Sequence, residues 1–169
     1  MKMVVNFSLM NIFYLAKDPK VAAQMMCDKH VVKMILESAQ MMSTAHRVLD
    51  GDVYADIEGL YKIVHKNHPS TIWVRSSSEH YEWLYQHMVS LMNEYTYRYD
   101  NSHDTQRLLR PLKKYPMNIS ADKFVDPPQC MPDYCKLKNT VSAYRNFYKL
   151  EKVSFATWKK RSVPKWFHL

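Results

Sequence analysis

Residues 17–49 read KDPKVAAQMMCDKHVVKMILESAQMMSTAHRVL, a helix-length run that is apolar around most of its circumference. One narrow polar stripe interrupts it, made of His30, Lys33, Glu37, Gln40 and Thr44. At 100° per residue these five fall within an arc of about 80°. Val21, Ala22, Ala23, Met25, Met26, Val31, Val32, Met34, Ile35, Leu36, Ala39, Met41, Met42 and Ala45 occupy the remainder, the pattern of a helix packed on several sides. An imidazole, an ammonium, a carboxylate and a carboxamide inside a protein cost several kcal/mol unless they pair or serve a ligand. The stripe is therefore the first candidate for a functional wall, with His30, Lys33 and Glu37 as its chemical groups and Gln40 and Thr44 as substrate contacts. A Lys33–Glu37 pair at i,i+4 also fits a structural network.

Asp18-Pro19 supplies an N-cap and a proline for the first helical position, so a helix is expected over about Pro19–Val48. Leu49-Asp-Gly-Asp52 ends it, and Ile57, Leu60, Tyr61 and Val64 suggest a second, shorter helix from about Tyr54. His65–Ser70 reads as a loop, because a residue before proline is pushed out of helical geometry. Ser76 and Glu79 form a capping box for a third helix reaching about Tyr99. A short helix is expected near Thr105–Lys113, an irregular wrapping loop over Pro116–Pro132, and a last helix over about Asn139–Val153. Residues 11–15 alternate too briefly to choose strand or coil.

The chain has 169 residues but only two glycines, Gly51 and Gly59. Tight positive-φ hairpin turns are nearly unavailable, and neither a glycine-rich phosphate loop nor a dinucleotide fingerprint can be built. The expected fold is all-α: one compact helical domain over 1–169, with a long buried N-terminal helix and a proline-rich wrapping loop. No stretch resembles a membrane span, and Met1–Phe7 lacks a secretory signal pattern, so the expected location is the cytoplasm, with no membrane partner. Cys27, Cys130 and Cys135 support neither a disulfide framework nor a zinc site. His30, Glu37, His46, His65 and His68 are plausible metal ligands, but His46 lies almost opposite His30 and Glu37 on the helix, and neither metal nor cofactor is expected. Nothing in the sequence sets an oligomeric state.

The formal charge of +8 is unevenly placed. Residues 1–135 hold 15 Lys/Arg and 15 Asp/Glu, whereas 136–169 hold nine cations against Glu151 alone. Arg145, Lys149 and Lys152 share a helical face, and Lys159, Lys160 and Arg161 follow Trp158. Cations interleaved with aromatics suit a phosphate backbone with exposed bases, so these six, with Lys29, are the expected nucleic-acid contacts. The same tryptophans also suit an anchor to the core. The loop offers His65, Asn67 and His68, followed by Trp73 and Arg75, as donors, acceptors and a stacking surface for a base. Asn67 and His68 also suit a turn closed by side-chain bonds, with Trp73 in the core. The stripe and His65–Arg75 are expected to face one pocket.

Met10-Asn11-Ile12, the basic helix, His68-Pro69, and Glu94 with Arg98 near a helix end together resemble the small all-helical pyrimidine-dimer DNA glycosylases of phages, over about Met10–His103. The resemblance implies a helical fold, a DNA substrate, and cleavage of a glycosidic bond by an N-terminal amine aided by a helix-borne Arg-Glu-x-x-Arg set. In this chain the basic pair falls on Lys29 and Lys33 and the Glu position on His30, while nine residues precede Met10. An imidazole does not replace a carboxylate as negative stabiliser of an oxocarbenium-like state. Three readings follow: a DNA base-excision or base-modification enzyme in which Lys33 attacks C1′ and Glu37 or His30 moves protons, with a flipped base held by aromatics such as Trp73 and Tyr14; an acid–base enzyme of free nucleotides or modified bases; and a non-catalytic helical DNA-binding protein.

Overall fold

The computed structural model describes residues 10–168. The expectations about the Met1–Phe7 start and an N-terminal amine fall on residues 1–9, outside the described residues. The described residues form seven α-helices and no strand. In order they are α1 (Pro19–Met25), α2 (Asp28–Asp50), α3 (Val53–Ile57), α4 (Pro69–Ser76), α5 (Ser78–Tyr99), α6 (Leu109–Lys113) and α7 (Thr140–Glu151). The two long helices α2 and α5 pack together, with α1 along α5 and α4 against both. Residues 11–15 are coil.

The helix expected over Pro19–Val48 is two helices. Met26 and Cys27 adopt extended geometry (ψ 139° and 160°), although neither glycine nor proline marks the spot. The cause lies on α5. Arg98 is completely buried and donates through Nη2 to the Gln24 carbonyl (3.1 Å) and through Nη1 to the Met26 carbonyl (2.9 Å), among the carbonyls a helix end leaves without intrahelical partners. Its Nη1 also reaches Asp28 Oδ1 at 2.9 Å, and its Nε reaches Glu94 Oε2 at 3.0 Å. The Asp28 carboxylate sits in the first turn of α2, where the helix dipole favours negative charge.

A second arginine shapes the other end of α2. Arg47 donates to the Tyr61 carbonyl (2.7 Å) and the Leu60 carbonyl (3.1 Å), and pairs with Asp52 and Asp56 at 2.8 Å each. With Gly59 at φ 66°, this holds 60–61 outside α3, so the helix expected through Val64 ends at Ile57. Helix α4 begins inside the expected loop. His68 is extended, as the following proline requires, but its Nδ1 accepts from Ser70 N–H (3.1 Å), so His68 and Pro69 start a helix. The cap of α5 falls on Ser77, one residue beyond the expected Ser76. Asn139 caps α7 as a side-chain acceptor for Ser142 N–H.

Helix α2 is less enclosed than its composition suggests. Val32, Leu36 and Val48 are 37–39% exposed, and Lys29 and Lys33 also reach solvent. The basic C-terminal segment returns across the α1–α2 break. Trp158 is buried with its Nε1 on the Met25 carbonyl (2.8 Å), Asp28 accepts from Thr157 Oγ1 and Lys159 N–H, and Arg161 pairs with Glu94 at 2.6 Å. Removing the fully buried partner should cost far more than removing the rim one: Arg98→Ala is expected to lower unfolding free energy by about 3–5 kcal/mol, and Arg161→Ala by roughly 1–2 kcal/mol, in urea titrations. Equal effects would deny Arg98 its special place.

Candidate functional site

The first turns of α2 form one side of a cleft of about 210 Å³, through Lys29, His30, Lys33 and Met34. The opposite side comes from Asn11 and Phe13 of the N-terminal coil and from Lys152 and Phe155 at and after the end of α7. This volume lies below the roughly 300–1,000 Å³ of ordinary small-molecule sites, a size for one chemical group rather than a whole cofactor.

His30 is the buried floor, 5% exposed. Its Nδ1 lies 2.6 Å from the Tyr148 hydroxyl, which also accepts from Cys27 N–H at 3.3 Å. The arrangement that satisfies all three groups has the Tyr148 O–H donating to Nδ1, which leaves the imidazole proton on Nε2. Burial, with help from Lys152, Lys33 and Lys29, pushes the His30 pKa down to about 3. The ring is therefore neutral at physiological pH. The Tyr148 phenol is itself held well above its ordinary range by burial, so it stays protonated as a donor.

Phe13 stacks on His30 with ring centroids 4.1 Å apart and planes at 17°, and Phe155 meets the imidazole edge-on at 5.7 Å. Phe13 is in the left-handed region (φ 54°), a conformation costing of order 1–3 kcal/mol that its surroundings must impose. Asn11 imposes it. Its Oδ1 accepts from Ile12 N–H (2.8 Å) and Phe13 N–H (3.2 Å), while its Nδ2 donates to the Cys130 carbonyl (2.9 Å). Lys152 is half-buried, with Nζ 4.5 Å from the Phe147 ring centroid, and Lys29 lies 4.6 Å over Phe155. Burial lowers the Lys152 pKa; Glu151 and Cys27 oppose the shift and Lys33 adds to it. Among the described residues, no carboxylate lines this cleft.

Glu37 lies one turn beyond Lys33, 6% exposed, with a buried Oε2 that has no hydrogen-bond partner among the described residues. Burial raises its pKa to about 7, with Lys33 pulling the other way. Gln40 is half-buried, and Thr44 Oγ1 accepts from Val64 N–H (3.2 Å), tying the far end of the stripe to the chain leading into His65. His65 and Asn67 are exposed in the turn, and His68 caps α4. Trp73 is buried, donates to the Val125 carbonyl and stacks on His80 at 4.4 Å; Arg75 donates to the Lys66 carbonyl. None of the residues from His65 to Arg75 lines the His30 cleft, whose second wall comes from α7 and the N-terminal coil instead.

The cations of the C-terminal segment divide into two groups. Lys152 enters the cleft, whereas Lys160 pairs with Asp100 (2.8 Å), Arg161 pairs with Glu94, and Lys159 lies over the Tyr99 ring at 5.2 Å. Arg145 donates to the Leu15 carbonyl and lies over Trp166. Lys149 sits half-buried on α7. Phe13 and Phe155 carry no sequence signal for the cleft, being single aromatics in irregular segments, whereas Asn11 stands in the Met10-Asn11-Ile12 motif. Among the described residues no group of three or more metal-ligating side chains occurs, and no helix is long and apolar enough to cross a membrane.

The family model for pyrimidine dimer DNA glycosylase matches residues 10–107, more than half of the chain. The chain belongs to that family. No curated protein and no solved structure matches it. The matched residues include Asn11, Phe13 and the α2 side of the cleft, while Lys152 and Phe155 lie beyond them.

The raised Glu37 pKa makes folding pH-dependent. Between the ordinary value of 4.5 and about 7 the native state binds more protons than the unfolded chain, so this carboxyl lowers stability as pH rises. Glu37→Gln is expected to be more stable than wild type by about 1–3 kcal/mol at pH 8, with the gain fading toward pH 5 in thermal melts. A gain independent of pH would contradict the assignment.

Proposed function

We propose that this member of the pyrimidine dimer DNA glycosylase family excises a pyrimidine base from duplex DNA, with the sugar of the target nucleotide held at the His30 cleft. The observation that carries this reading is a neutral imidazole set among Lys29, Lys33 and Lys152 in a cleft sized for one chemical group. Three ammonium groups favour the phosphates flanking a target nucleotide. Phe13 and Phe155 supply an apolar wall against which an extruded sugar or base can rest.

In this reading His30 does not carry a proton back and forth. A ring with pKa about 3 serves as a fixed Nε2–H donor, stabilising the negative charge that develops on the departing pyrimidine. Glu37 is buried one turn beyond Lys33 and does not line the cleft, so it takes no direct part in this step. Lys29 and Lys33 orient the backbone, with Lys149 extending the basic track along α7. Gln40, Thr44 and the His65–Arg75 segment, including His65, Asn67, His68, Trp73 and Arg75, then belong to the flanking contact surface. Lys159, Lys160, Arg161 and Arg145 mainly hold the C-terminal segment in position.

Cleavage of the glycosidic bond in an end-labelled duplex carrying a pyrimidine dimer, read as an alkali-labile strand break with an undamaged duplex as control, tests this directly. His30→Ala should reduce this cleavage about 10²-fold, the typical cost of one preorganised donor, while retaining duplex affinity within a few fold. Lys33→Ala should weaken duplex binding and lower the slope of log K against log salt by roughly 0.9. Activity on free nucleotides without a salt-dependent duplex affinity would favour the small-substrate reading instead.

A further inference from the structure

We propose that the His30 cleft is a receptor for a terminal phosphate: a phosphomonoester at a broken DNA strand end, in preference to a phosphodiester within an intact strand. The proposal rests on the glycosylase reading above in bringing DNA to this face of the protein. Scission of a strand at a base-free sugar leaves such an end, and the cleft then retains it where the target nucleotide had been. Two of the residues that form the receptor, Lys152 and Phe155, lie beyond the matched residues 10–107.

Charge at the cleft is one-sided. Lys29, His30 and Lys33 come from the first turns of a 23-residue helix, whose dipole places partial positive charge at that end. Lys152 faces them from the C-terminal end of α7, half-buried, with its Nζ 4.5, 5.8 and 5.9 Å from the Phe147, Phe155 and Phe13 ring centroids. Those ring faces favour the ammonium form and restrict its path. Among the described residues no carboxylate lines the cleft. The acids adjacent in sequence are engaged elsewhere: Asp28 with Arg98, Thr157 and the Lys159 N–H, and Glu151 with the Tyr134 hydroxyl. An ammonium partly removed from water and set beside two others gains most from an anion placed among them.

Shape selects the monoester. His30 at the floor is 5% exposed, and among the described residues its ring hydrogen-bonds only to Tyr148, through Nδ1. The Nε2–H is left for a ligand oxygen. A space of about 210 Å³ between Phe13, Met34 and Phe155 admits one tetrahedral group to that floor. A bridging phosphate carries a nucleoside on each side, and so small a space has no room for both, whereas a terminal phosphate carries one. The terminal group also brings about two negative charges at neutral pH, roughly twice that of a diester, and forms the stronger, charge-assisted hydrogen bonds with ammonium groups. A free nucleoside monophosphate offers the same group, so the experiment separates the two sources.

The test is fluorescence anisotropy of the full chain, at fixed ionic strength, with gapped duplexes identical except at the gap, which carries a 5′-phosphate, a 3′-phosphate or hydroxyls on both sides. At least one phosphate-terminated gap is expected to bind tenfold or more tightly than the all-hydroxyl gap. Lys152→Gln, at unchanged circular dichroism, should shrink that preference below threefold. Lys20→Gln, which removes an equal charge from the exposed face of α1, should leave the preference in place. The nucleotide dTMP is expected to compete only at concentrations more than a hundredfold above the Kd of the gapped duplex; competition near that Kd overturns the strand end as the source. Equal affinity for phosphate and hydroxyl ends, with cleavage of a dimer-bearing duplex intact, overturns the receptor and leaves the glycosylase reading standing. Absence of both duplex affinity and cleavage overturns that reading, and the receptor with it.

Discussion

The Arg98 guanidinium is the constraint on which the arrangement depends. A completely buried cation is tolerated only when its donors are satisfied, and Arg98 uses two backbone carbonyls and two carboxylates to do so. Those carbonyls lie at the end of α1, so the chain there leaves helical geometry for two residues. The break frees α2 to start at Asp28, and the first turns of α2 then present Lys29, His30 and Lys33 to the cleft. Because Asp28 also receives Thr157 and Lys159, and Glu94 also receives Arg161, the same cluster ties down the C-terminal segment that follows Lys152 and Phe155. One buried cation thus coordinates three elements distant in sequence.

The cleft follows a different logic, in which charge is gathered on one side and removed from the other. Among the described residues three lysines line it, while the imidazole at its floor is kept neutral by burial and by those lysines. The resulting surface attracts an anion yet presents a hydrogen-bond donor with no ionisable proton near neutral pH. Holding Phe13 at φ 54° through the Asn11 side chain places an aromatic face against that imidazole at a backbone cost. Strain retained beside a polar cleft is consistent with a functional site.

The all-α architecture was legible in the near absence of glycine and in the helical spacing, and the Asp18-Pro19 cap marked the start of α1 correctly. The α1–α2 break was not legible, since its cause is a side chain 72 residues away in sequence. For α3 the apolar spacing through Val64 suggested a longer helix, but Arg47 captures the Leu60 and Tyr61 carbonyls. Within the cleft, His30 and Lys33 stood out because polar groups on an apolar helix demand an explanation. Lys152 was visible as a cation on a basic face, but its place among three phenylalanines depends on how the end of α7 meets the N-terminal coil that carries Phe13. Phe13 and Phe155 lie in coil, where apolar periodicity carries no information.

Hydrogen–deuterium exchange of the full chain, with and without a duplex containing a pyrimidine dimer, tests the central claim that DNA meets the protein at this cleft. The account predicts protection concentrated in residues 11–15, 28–36 and 148–156, the three segments that build it. Protection confined to residues 65–75 or to the α3 surface, with these three segments unchanged, would contradict it.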